Sequence, residues 1–125
     1  MTPEVATAVD EIKTAFPEAT VEVKEEGDGV VVLLDPIELG GPYVQAETWV
    51  GFRITFQYPY SDVYPHFVRG DLARADGAGL GEGMSVATFD NRSAVQISRR
   101  SNRLDPNTET ALIKLNKVME WLRTR

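Results

Sequence analysis

There is no cysteine in these 125 residues. That removes a disulfide framework, thiolate metal sites and any thiol nucleophile. There is one histidine, His66, so no pair of imidazoles is available for zinc, and any serine relay would depend on that single ring. Long apolar runs are missing too. No stretch approaches the roughly 18 residues of a membrane span. The N-terminus MTPEVATAVDEIK has no basic segment followed by an apolar one, so no signal peptide is expected and a cytoplasmic location is the default. Positive charge is scarce, with 13 Lys and Arg against 19 Asp and Glu and a net charge of −6. That balance disfavours a bulk electrostatic role on nucleic acid. The acidic residues lack calcium-loop spacing. The glycines between Gly77 and Gly83 are not followed by Gly-Lys-Ser/Thr and do not open a helix after a buried strand, so they read as surface loop rather than phosphate cradle. No metal and no cofactor is expected.

What is present is the composition of one globular domain spanning 1–125, with 42% hydrophobic and 26% charged residues. The most informative stretch is Glu47 to Val68, ETWVGFRITFQYPYSDVYPHFV. Val50, Phe52, Ile54, Phe56 and Tyr58 alternate with Trp49, Gly51, Arg53, Thr55 and Gln57. A period of two predicts a strand with one wholly apolar face. Proline fixes its own φ and lacks the N–H a ladder needs, so this strand is expected to end near Pro59. A stiff crossing rich in Tyr and Pro follows, carrying Tyr58, Pro59, Tyr60, Tyr64 and Pro65. These tyrosines read as structural supports of the crossing. His66 reads as a packed or capping residue beside Pro65.

The flanking chain fills in the elements. Thr2-Pro3-Glu4 is a helix start, and Val5, Val9, Ile12 and Phe16 follow at helical spacing, predicting a helix over 3–16. Thr20 to Lys24 alternates, a turn with Gly27 and Gly29 follows, and Val30 to Leu34 reads as a strand buried on both sides or nearly so. Asp35 to Pro42 reads as a loop, and His66 to Asp71 as a candidate fourth strand. Arg69 to Asn91 keeps neither period and reads as a long ordered loop with room for a small hairpin. Ser93 to Ser98 is a short extended piece. Asp105-Pro106 predicts the start of a second helix running to Arg123, with a stripe of Ala111, Leu112, Leu115, Val118, Met119 and Leu122 widened by Ile113 and Trp121.

A strand of the form F-x-I-x-F, then Tyr60-Ser61-Asp62-Val63-Tyr64-Pro65, then a short strand, resembles the ubiquitin-conjugating-enzyme (UBC-like) superfamily and its Tyr-Pro-x-x-x-Pro segment, with Ser61 in place of the first proline. Val32-Leu33-Leu34-Asp35-Pro36 with Gly40-Gly41-Pro42-Tyr43 resembles the family's second strand and following loop. Leu104-Asp105-Pro106 resembles the Trp-Ser-Pro after its active-site segment. The element order is similar over nearly the whole chain, and its short form looks like the prokaryotic members found with bacterial ubiquitin-like modification systems. The resemblance implies an α+β fold: an N-terminal helix at the end or edge of an antiparallel meander of about four strands, a long flap, and a C-terminal helix packed on the sheet.

Active members carry a His-Pro-Asn segment and a cysteine. Neither is here. The family's spacing places the cysteine position at Gln96, or at Ala94 with a small gap. An amide or a methyl group forms no thioester. The implied function is therefore a non-catalytic protein that binds a ubiquitin-like protein or an activating-enzyme partner. Two other readings stay open: an active conjugating enzyme whose cysteine has been replaced at Ala94 or Gln96, and a generic RWD-type interaction domain. Arg92, Arg99, Arg100 and Arg103 are the only concentrated positive charge. Arginine forks suit an acidic partner surface. The plainer reading is a solvated face with Asp90 and Asp105 as local partners.

Overall fold

The computed structural model describes residues 1–101 and 104–125. Their elements run α1 (Pro3–Ala15), β1 (Thr20–Glu26), β2 (Gly29–Glu38), β3 (Glu47–Thr55), β4 (His66–Arg69), β5 (Met84–Phe89), β6 (Arg92–Ile97) and α2 (Ala111–Arg123). The six strands make one antiparallel sheet in the order β1-β2-β3-β4-β6-β5. The architecture is α+β. Among the described residues no helix is long and apolar enough to cross a membrane.

The helix starts follow from capping. The Thr2 hydroxyl accepts the Val5 N–H at 3.2 Å ahead of Pro3. The second helix begins at Ala111, five residues later than Asp105-Pro106 suggests. Asp105 instead closes an isolated turn, its carboxylate accepting the Asn107 N–H and its carbonyl those of Thr108 and Glu109. A short acceptor side chain that satisfies its own neighbours competes with helix continuation. Thr110 then caps α2, its hydroxyl accepting the Ile113 N–H at 3.1 Å.

The strands depart from expectation in three places. β2 continues through Asp35 and Pro36 to Glu38, where a loop was predicted, because the register shifts between Leu34 and Ile37. A bulge tolerates the missing N–H of proline. β3 ends at Thr55 rather than near Pro59, and the chain turns with Tyr58 N–H on the Thr55 carbonyl. The stretch expected to be loop up to Asn91 contains β5, so the sheet has six strands and not about four. β5 pairs β6 through a two-residue turn at Asp90-Asn91 (φ 49° and 63°), the left-handed values a tight hairpin needs.

One face of the sheet carries Val30, Val32, Leu34, Val50, Phe52, Ile54, Val68, Val95 and Ile97 into a core closed by Val5, Ala8, Val9 and Ile12 of α1 and Leu115, Val118, Met119 and Leu122 of α2. Ile113, expected to widen that stripe, is instead exposed. The other face is not open. Val31, Leu33, Phe89 and Ala94 are buried there, with Trp49 and Phe67 packed beside them. This is why β2 is apolar throughout. Phe89 stacks on Phe67, ring centroids 4.7 Å apart, and sits so close over Gly51 that a β-carbon there would collide with its ring. The turn after Phe89 reaches β1, where Asp90 accepts from Lys24. The sheet thus curls until its last hairpin meets its first strand.

Candidate functional site

The crossing over residues 56–65 and the segment 98–101 meet at the N-terminal half of α2. Tyr58 is buried, and its hydroxyl accepts the Ala111 N–H at 3.0 Å, the first N–H of α2. Asp62 accepts the Ser101 N–H at 2.8 Å and the Ser101 hydroxyl at 3.0 Å. Lys114 donates to both Asp62 oxygens at 3.2 Å and to Ser101 Oγ at 3.0 Å. Burial opposes ionisation of Asp62, but the hydrogen bonds from Ser101 and Lys114 outweigh it and hold the carboxyl below its usual range. The network resembles a serine–lysine pair in outline only. An ammonium bridged to a carboxylate is a donor, and so is not free to act as the base that would activate Ser101.

His66 lies beneath this network. It is wholly buried, packed on Phe52 with ring centroids 5.1 Å apart, and neither nitrogen has a hydrogen-bond partner. Burial drives its pKa down to about 3, the Lys114 charge pushes the same way, and Asp62 only partly opposes them. It is packed as expected, but caps nothing.

Segment 98–101 is pinned along its length. The Ser98 N–H bonds the Gly83 carbonyl at 2.7 Å. The Arg99 guanidinium lies 5.0 Å from the Trp121 ring centre, and Arg125 lies 4.5 Å from the same ring. Arg100 lies 4.4 Å from the ring of Tyr64. Such stacking fixes a guanidinium while leaving its N–H edge available. The nearby Ser98 hydroxyl and the Arg100 guanidinium favour the ionised Tyr64 hydroxyl and hold it below its ordinary pKa. Between this segment and α2 lies a cleft of about 280 Å³ lined by Arg99, Arg100, Lys114, Lys117, Glu109 and Trp121. Lys117 pairs with Glu109 at 3.0 Å. Among the described residues neither Arg99 nor Arg100 has an ion-pair partner.

The arginines grouped by sequence do not form one patch. Arg99 and Arg100 line the cleft. Arg92 lies at the other end of β6, about 20 Å of strand away, stacked 5.1 Å over Trp49 on the second face. Arg103 lies outside the described residues. Ala94 is wholly buried under Phe89, while Gln96 is half-exposed and donates to Ser98 Oγ at 3.2 Å. Of the crossing residues, Tyr58 is tethered to α2, Pro59 and Pro65 are half-buried, and Tyr60 is exposed. Sequence reasoning did not bring Asp62, Ser101 and Lys114 together; the one signal for such a group is a lysine inside an apolar helical stripe. Among the described residues no group of three or more His, Cys, Asp or Glu side chains is placed to hold a metal ion. Compared with protein-family models, curated proteins and solved structures, the chain finds no match in any of the three.

Proposed function

We propose that this chain is a non-catalytic ubiquitin-conjugating-enzyme-like protein that binds a ubiquitin-like protein or an activating-enzyme partner. One observation carries the reading. The Tyr/Pro crossing, which follows the N-terminal helix and three strands of the meander and precedes the fourth, docks through the Tyr58 hydroxyl on the first N–H of the last helix, in keeping with the order the resemblance implies. Both positions that the family's spacing would give to a nucleophile, Ala94 and Gln96, lie within β6, paired to β5. The binding surface is the cleft beside Arg99 and Arg100, where positive charge collects on an acidic chain. Exposed aromatics and aliphatics supply contact area, and the arginines set register against an acidic partner.

The test is calorimetric titration with a bacterial ubiquitin-like protein and with its activating enzyme. Binding is expected to weaken with added salt and to fall at least about tenfold in an Arg99→Glu, Arg100→Glu variant. Binding to neither protein would leave a generic RWD-type interaction domain as the better reading. The replaced-cysteine reading has its own test. A thiol at 94 would be sealed under Phe89, so Gln96→Cys is the variant to mix with an activating enzyme. A reducible adduct there would restore the enzyme reading.

A further inference from the structure

The two edges of the sheet are treated differently. β1 is lined with Glu22, Lys24, Glu25 and Glu26, the charged guarding that keeps an open edge from pairing. β5, M-S-V-A-T-F, has no charge and no proline, and its Val86 is 87% exposed. The hydrogen-bond parity of β5 is fixed. Ser98 N–H bonds the Gly83 carbonyl, and the same alternation continues through Ser85–Gln96, Ala87–Ala94 and Phe89–Arg92. Ser85, Ala87 and Phe89 therefore turn their backbone groups towards β6, and Val86 and Thr88 turn theirs outward. Met84 also faces out, but its N–H is taken by the Gly81 carbonyl at 3.3 Å. Among the described residues nothing else bonds these outward groups.

We propose that β5 pairs antiparallel with β5 of a second copy of this chain, across a two-fold axis at Ala87. A two-fold pairing of a strand with itself must centre on a residue, because opposed residues share a face. Centring on Ala87 sets Val86 opposite Thr88 of the other copy. It forms four N–H to carbonyl bonds using only the open groups of Val86 and Thr88. Centring on Val86 would require the Met84 N–H that is already engaged. The Ala87 register also places the smallest side chain of the strand where the two backbones approach to about 4.5 Å. It pairs two β-branched side chains across the junction, a favourable strand contact. A neutral strand meets its own copy without like-charge cost, which a charged edge such as β1 does not.

Sedimentation equilibrium from about 10 µM to about 1 mM is expected to show a monomer–dimer equilibrium, with Val86→Lys and Thr88→Pro each raising the dissociation constant at least about tenfold. Proline at 88 removes an N–H that points away from the sheet, so it leaves the internal ladder intact. Val86→Lys at a solvent-facing side chain keeps the test available if the proline variant does not fold, and circular dichroism reports folding in each. The chain has no cysteine, so Ala87→Cys gives a clean cross-link. The central pair lies within disulfide range, and oxidation should yield a linked dimer far faster than in Val44→Cys, another exposed position. A wild-type chain that stays monomeric to the highest concentration overturns the proposal. So does a dimer indifferent to Val86→Lys, or an Ala87→Cys variant that links no faster than Val44→Cys.

Discussion

Placing an imidazole where neither nitrogen finds a partner forces the ring to stay neutral. The folded pKa of His66, about 3, is below its ordinary 6.5, so the unfolded chain binds the proton first as pH falls. Its contribution is whole above about pH 6.5 and is lost as pH falls towards 3, with a slope approaching one proton. His66→Met, apolar and of similar volume, is expected to be at least as stable at pH 7, because the unmet hydrogen bonds cost about 1–3 kcal/mol. It should also flatten the loss between pH 6.5 and 4 in urea melts. Asp62 acts lower down. Its carboxyl is held below the ordinary 3.8, so what it contributes is present above that value and is lost only in stronger acid. Lys114→Met leaves Asp62 half-buried without its cation and should cost roughly 3 kcal/mol in the same melts. His66 was legible in the sequence as a packed residue because Pro65 and Phe67 frame it. Lys114 was not, because its partners Asp62 and Ser101 stand 52 and 13 residues away.

At the scale of elements, periodic segments were readable and segments held by others were not. α1, β1 and the apolar face of β3 follow from local spacing. β5 does not, since its large apolar residues fall on both faces, Met84 and Val86 on one and Phe89 on the other. What fixes it is β6 and the Asp90-Asn91 turn. The start of α2 was misread because Asp105-Pro106 has the chemistry of a cap but spends it on a single turn. Thr110→Ala should therefore cost about 1 kcal/mol, the usual worth of a cap, while Asp105→Ala costs clearly less, as thermal melts of the two would show. Gly51 is a packing requirement of the curled sheet. Gly51→Ala should cost about 1–3 kcal/mol by overpacking against Phe89. The same change in a Phe89→Ala background should cost much less, and a double-mutant cycle measures the difference.

For the molecule as a whole, the order of elements and the resemblance implied an α+β chain, which the fold is, but the arginine cluster came apart because β6 separates Arg92 from Arg99 and Arg100. The curled sheet has a consequence in time. The contacts of β1 with β2 are local, whereas Lys24 and Asp90 are separated by 66 residues and touch only when every strand between them is in place. Closing so long a loop is entropically late. The last hairpin should therefore be the first part to let go. Native-state hydrogen exchange is expected to show amides of β6 opening at lower free energy than those of Val32 and Phe52. Folding would then end, and unfolding begin, where the tip of the last hairpin reaches across to Lys24.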